Sequence, residues 1–401
     1  MVELKGQNSS TSKNLATEIL NVLNKYDINL QQIVTITSDN GSNMVKCTKI
    51  LSHLCSEDEE YEENYNNETY FQNITLIENN MDLRVGNIIV CRCAAHTAQL
   101  VALDATKDFE MKRYIRQCRN LVKFLRKNSN GYKDLFELKS LKIPQLDCPT
   151  RWGSTYLMIS CIQNSKEIVE TVESITNKSS EENFEINEDF WNFVASYYTV
   201  FKPLQNIIVI FQEEQLHYGD FYAQWLKCKL LISKTVEENE VNKSASSYKI
   251  SKLLLDNMEK RTTTLFSNNA LAACLYLDPR FHHMLIDTQR KDAVEYLKLL
   301  WDKLTSICKI ELNTQPTPNF ITTTQENHED DDILNDFLDN IFNANNAEND
   351  NIIRKIEKLN LPYTKLKTNV LEFWKERKYS EPELYALSNI CFGIPPTQVK
   401  F

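Results

Sequence analysis

The sequence of 401 residues predicts a short α/β segment followed by a much longer, mainly helical one. Two β-branched runs, each leading into a helical pattern, fall within the first 108 residues. From about residue 109 to 360 the apolar residues recur at helical spacing with almost no strand signal, and two more helical stretches follow from about 361.

Taken in order, the elements begin with a helix over Lys13 to Tyr26 and a strand over Ile33 to Ser38, built on Ile33, Val34 and Ile36. Asp39 follows at the carboxyl end of that strand, and Asn40, Gly41, Ser42 and Asn43 are turn and cap types ahead of a helix over Met44 to Leu54. A carboxylate there sits on the rim of a rigid element, either as a reactive group or as a helix cap. An acidic stretch, 55–84, separates this pair from a second strand over Asn87 to Cys91 and a helix over Ala94 to Thr106. In the longer segment, Glu188 to Phe211, Ser251 to Phe266 and Ala293 to Ile307 carry amphipathic patterns. A helix bearing Phe373 and Trp374 and another over Pro382 to Phe392, stopped by Pro395-Pro396, close the chain.

Charge is segregated along the chain. Leu54 to Leu83 holds nine acids, Glu311 to Ile353 holds ten, and neither holds a Lys or Arg; both are rich in Asn and read as solvated loops. Met111 to Lys133 instead holds eight Lys or Arg and no acid. Within it Tyr114, Ile115, Cys118, Leu121, Val122 and Leu125 trace one helix face, and Lys112, Arg113, Arg116, Arg119, Lys123, Arg126 and Lys127 take much of the rest. Such a face can neutralise DNA phosphates without reading base sequence, or it can pair with an acidic loop. The net charge of −10 thus does not exclude a nucleic-acid partner.

Other classes fit poorly. The seven glycines assemble no phosphate-cradling loop, which argues against kinases, NTPases and nucleotide-cofactor enzymes. No apolar run approaches the roughly 18 residues of a membrane span, and no signal-peptide core follows Met1. Eleven cysteines, an odd count, suggest reduced thiols over a disulfide framework.

Five motifs in order resemble the hAT superfamily of transposases. They are Thr35-Ile-Thr-Ser-Asp-Asn-Gly-Ser-Asn-Met44, Cys91-Arg-Cys-Ala-Ala-His96, Pro149-Thr-Arg-Trp-Gly-Ser-Thr155, Leu277-Asp-Pro-Arg-Phe281, and the closing pair Leu371-Glu-Phe-Trp374 with Tyr385 to Val399. Gly153 stands where the family favours Asn, and His282 where it favours Lys. The resemblance implies a partial ribonuclease H-like core (1–108), a large all-helical insertion domain (109–360, with an acidic loop at 311–353) and a truncated C-terminal dimerisation region (361–401).

The chemistry implied is two-metal phosphoryl transfer, in which magnesium or manganese is held by two Asp and one Glu. Asp39 matches the second Asp and is the expected metal ligand. No strand bearing the first Asp precedes Lys13, the Glu-bearing motif does not follow Val399, and no paired Cys and His have the spacing of the family's BED zinc finger. The expectation is therefore an incomplete catalytic set, no tightly held metal, and no metal-dependent DNA cleavage; nicking abolished by Asp39→Asn would overturn it.

Cys93 and His96 are expected beside the active site, ordering the core or positioning DNA; a core thiol and a capping imidazole fit the same residues. Two zinc ligands are also compatible with their spacing, although a structural zinc site needs four. Arg151 and Trp152 are expected to meet a DNA end or a flipped base, or else to anchor the helical domain. Asp278-Pro-Arg280 should set a helix boundary. Phe373, Trp374, Leu384, Tyr385, Leu387, Ile390 and Phe392 are expected to form partly uncovered faces that drive weak self-association or aggregation. The function expected is a DNA-binding, dimerising nuclear protein derived from a transposase, with DNA and a second copy as partners. The alternative is a protein-interaction module that no longer touches DNA.

Overall fold

The computed structural model describes residues 11–38, 42–55, 84–85, 88–127, 132–148, 152–176, 186–213, 216–266, 268–314 and 352–397. Most of both acidic stretches lies outside them, as do Asp39, Arg151 and the Trp152 side chain.

The amino-terminal part is α1 (Ser12–Lys25), β1 (Thr35–Ser38), α2 (Ser42–Cys55), β2 (Arg84–Val85) and β3 (Ile88–Arg92). β1 lies parallel to β3, with Thr35 opposite Ile89 and Ser38 opposite Arg92, and the two-residue β2 adds antiparallel on the far side of β3. β1 is shorter than its β-branched run. A 3-10 turn over Leu30–Gln32, closed by a capping box on Asn29, leads into Ile33, so Ile33 and Val34 form the approach to the strand. α1 and α2 bury Ala16, Cys47 and Leu51 against each other, with Leu30 and Ile36 packed around them as a small satellite cluster.

The main core runs from Cys91 to Ile394. At its centre is α3 (Ala94–Ala105), which buries Ala94, Ala95, Thr97, Ala98, Val101, Ala102 and Ala105. So many small side chains on several faces let neighbouring helices approach closely, and α3 packs on both α8 (Glu188–Glu213) and α10 (Ser246–Phe266). Around these stand α4 (Phe109–Leu125), α5 (Tyr132–Leu138), α6 (Trp152–Asn164), α7 (Lys166–Thr176), α9 (Tyr218–Glu238), α11 (Asn269–Tyr276) and α12 (Asp287–Thr314). The described chain is thus mostly helical with a small sheet. No described helix is long and apolar enough to cross a membrane.

The C-terminal region corrects an expectation. After a short helix α13 at 352–357 come α14 (Val370–Lys375) and α15 (Pro382–Gly393). Phe373, Trp374, Leu384, Leu387 and Phe392 are buried in the main core, and Tyr385 and Ile390 pack against it half-buried. α15 packs on the chain's own α11, α12 and α14. Trp374 also donates its indole N–H to the Leu277 carbonyl at 2.8 Å. The expected uncovered aromatic patch does not exist at these residues, because the helices fold back onto the motif around Leu277.

Candidate nucleic-acid interface

At the carboxyl end of the parallel pair, the Cys93 N–H donates to the Ser38 carbonyl at 2.9 Å and carries the chain from β3 into α3. Pro395 and Pro396 return to this edge. The Thr37 hydroxyl donates to the Pro395 carbonyl at 2.6 Å, and the Ala94 N–H, the first of α3, donates to the Pro396 carbonyl at 2.8 Å. Sequence elements more than 350 residues apart thus meet at the carboxyl end of β1. Cys93 is buried at the N-cap position, but its thiol makes no cap bond; the Thr97 hydroxyl instead bonds back to the Cys93 carbonyl. His96 lies half-buried in the first turn of α3. Among the described residues no three His, Cys, Asp or Glu side chains form a group that could hold a metal.

The second feature is the basic helix α4, capped by the Asp108 carboxylate on the Met111 N–H. Met111, Ile115, Cys118, Leu121, Val122 and Leu125 are buried, and Tyr114 is half-buried against Phe193, with ring centroids 4.6 Å apart. The helix stops at Leu125, short of the charged run, which continues through Arg126 and Lys127 into a break before α5. Arg116, Lys123 and Arg126 all lie on the exposed side. Arg126 donates to the Pro144 carbonyl at 3.4 Å, and no described acid pairs with Arg116, Lys123 or Arg126.

Arg119 behaves differently. Its guanidinium forks onto Asp147, with Nε–Oδ1 and Nη2–Oδ2 both 2.7 Å, and the Thr155 hydroxyl donates to the same carboxylate at 2.7 Å. Burial opposes ionisation of Asp147, but Arg119 and Thr155 outweigh it and hold the carboxyl below its ordinary value. The bond from Asp147 raises the Arg119 guanidinium in turn. Ser154 closes the turn by accepting from the Cys148 N–H at 2.7 Å. The segment leading into Arg151 and Trp152 is therefore pinned to the basic helix at Asp147, a link that sequence reasoning missed. A buried Asp 28 positions from its basic partner leaves no local signal.

The Leu277 motif does set a helix boundary, since α11 ends at Tyr276 with Leu277 as its C-cap. It also holds a buried charge cluster. The Asp278 carboxylate accepts from Nε and Nη2 of Arg280 at 2.9 and 2.7 Å, and Arg280 Nη1 reaches Asp220 at 2.6 Å. His282, the departure from the family's Lys, is buried with Nδ1 2.6 Å from the Tyr276 carbonyl. Elsewhere, a groove of about 340 Å³ opens between α4, α8 and α10, floored by Tyr114 and Phe193 and rimmed by Glu110, Lys249 and Asp256.

The family described as the ZBED1 RNase-like helical domain matches residues 91–200, from β3 through α3, α4 and the Asp147 turn into α8. The chain is 25% identical over 293 residues to the zinc finger BED domain-containing protein RICESLEEPER 2 of Oryza sativa subsp. japonica, covering 68% of this chain and 37% of that protein. RICESLEEPER 3 of the same plant is 23% identical over 337 residues, covering 78% of this chain and 43% of that protein. The chain is thus similar to hAT-family, transposase-like proteins. The chain spans less than half the length of the curated relatives it matches. Within the hAT frame, the matched region holds the Cys91 to His96 motif, the basic helix and the Pro149 to Thr155 motif on one helical unit.

Proposed function

We propose that this hAT-like protein associates with DNA through the exposed face of α4, in the nucleus, as a transposase-derived binder. The observation that carries the reading is the division of labour on that helix. Arg119 is bonded to Asp147, whereas Arg116, Lys123 and Arg126 stay on the solvent side with no described acid beside them. Phosphate contact by such residues releases counterions and does not depend on base sequence. The parallel β1–β3 pair and the return of Pro395-Pro396 to its carboxyl edge support reading the sheet as part of a ribonuclease H-like core. Cys93 and His96, at that edge, then order the core. Arg151 and Trp152, led in by the Asp147 turn, are proposed to meet the DNA end.

The test is the triple variant R116E/K123E/R126E. Duplex binding should weaken, and the slope of log affinity against log salt should flatten by about 0.9 for each phosphate no longer neutralised, with sequence preference unchanged. An unchanged slope would return α4 to a solvated face. The groove between α4, α8 and α10 favours the second reading, a protein-interaction module. In that case the triple variant leaves duplex binding unaffected, and substitution of Tyr248 or Leu253 at the groove removes a protein partner.

A further inference from the structure

The segment 142–148 lies between the basic helix and α6 and is held from both sides. On the α4 side, Arg119 forks onto Asp147, and Arg126 Nη1 donates to the Pro144 carbonyl at 3.4 Å. On the α6 side, the Cys148 N–H donates to Ser154 Oγ at 2.7 Å and the Thr155 hydroxyl to Asp147 at 2.7 Å. Further along α6 the Cys161 thiol donates to the Lys142 carbonyl at 3.0 Å.

These bonds fix the direction and register of the segment. Arg119 and Arg126 stand two turns apart on α4, about 10 Å along its axis. Pro144 and Asp147, which they hold, are separated by about 10 Å in extended backbone. The spans agree, so the segment runs alongside α4 in the opposite direction, and its contacts on α6 follow in reversed order too. In that register Lys142 stands about 7 Å beyond Pro144, past the carboxyl end of α4 at Leu125. Arg116, Arg119, Lys123 and Arg126 recur at helical intervals and form one ridge of α4. Because Arg119 and Arg126 both bond the segment, it lies along that ridge, and Lys142 continues it.

A single exposed lysine is ordinary on a protein surface. Lys142 differs in that its backbone is pinned by Cys161 while its side chain is exposed and forms no ion pair with a described acid. The acids around it are engaged: Asp147 with Arg119, Glu137 with Lys133 at 3.5 Å, and Glu167 with Lys139 at 4.0 Å. We infer that Lys142 is a further phosphate contact of the duplex surface, and that the 142–148 segment carries this surface past the carboxyl end of α4. The inference deepens the reading of α4 as the DNA face and rests on it. It adds a binding residue placed by Arg126 and Cys161, outside the reach of helical periodicity. Contact with phosphate makes its contribution dependent on charge and salt but not on base sequence.

The test measures duplex binding by the full chain against salt concentration, on two duplexes of unrelated sequence. K142A should flatten the slope of log affinity against log salt by about 0.9, the share of one phosphate, and weaken binding equally on both duplexes. K142R keeps the charge and should restore the parental slope. K227A removes the same charge from an exposed lysine of α9 and should leave the slope unchanged. The Lys142 side chain is exposed, so the thermal midpoint of K142A should match the parent. A parental slope in K142A, the same flattening in K227A, or a loss confined to one duplex would overturn the inference. The R116E/K123E/R126E variant separates the two readings. If it flattens the slope and K142A does not, only the extension to Lys142 fails; if neither changes the slope, the reading of α4 has failed and the extension falls with it.

Discussion

Gly219 shows how a single residue serves the buried charges of the Leu277 motif. It sits in the first turn of α9, where helix propensity favours alanine. A Cβ there would lie 2.0 Å from Asp278 Oδ2 and 2.6 Å from Arg280 Nη2, so it would have to push the carboxylate off its guanidinium. Gly219→Ala is therefore expected to destabilise the protein by about 2–4 kcal/mol in chemical denaturation, against its propensity gain, because it strains a buried ion pair. Gly153 is the contrast. A Cβ there meets nothing closer than Gln205 Oε1 at 3.5 Å, so Gly153→Ala should be neutral or raise stability by about 0.5 kcal/mol. Equal effects at the two positions would show that helix propensity, not close approach, decides them.

At the scale of elements, α14 and α15 are structural parts of the core. Trp374 is almost fully buried and its indole N–H bonds the Leu277 carbonyl, which ties the C-terminal helices to the end of α11. Trp374→Ala should cost about 3–5 kcal/mol of stability, read as a lower denaturant midpoint. A variant with unchanged stability but altered sedimentation would instead assign Trp374 to self-association. His282 and His283 brace the same junction, the second with Nε2 2.7 Å from the Leu361 carbonyl. Burial pushes the His282 imidazole below its ordinary value.

Over the whole molecule, acid stability follows from two carboxylates that tie distant helices together. Asp104 bonds Arg261 on α10 and Lys107, and Asp147 bonds Arg119. In each case burial opposes ionisation but the bonds outweigh it, so the carboxyl in the folded chain titrates below its ordinary value. The unfolded chain then binds more protons than the folded one as pH falls past about 4. The stabilisation is complete above that value and disappears as pH drops through the folded pKa. Asp147→Asn should lower stability at neutral pH by about 2–3 kcal/mol, discounted for the partial exposure of Arg119, and should flatten the decline below about pH 4. An unaltered acid profile in that variant would remove Asp147 from the account.

The sequence by itself determined many of the elements and the resemblance to hAT transposases. Apolar spacing located both long strands, α1, α2, α3, α8 and α15 to within about two residues, because periodicity is a local property of the chain, whereas α10 and α12 extend beyond the expected spans and α9 (Tyr218–Glu238) was not expected at all. The positive face of α4 was legible for the same reason, and the ordered motifs from Thr35 to Val399 were legible through their resemblance to hAT transposases. Only the tertiary structure decided which charges are free and which apolar faces are covered. Arg119 looked like its neighbours until Asp147 was brought to it, and the faces bearing Trp374 and Leu387 looked uncovered until Trp374 met the Leu277 carbonyl and α15 lay on α11 and α12. The meeting of Pro395-Pro396 with Thr37 and Ala94 was equally invisible. Partners far apart in sequence leave no periodic trace, and burial and pairing depend on which surfaces meet after the chain has folded.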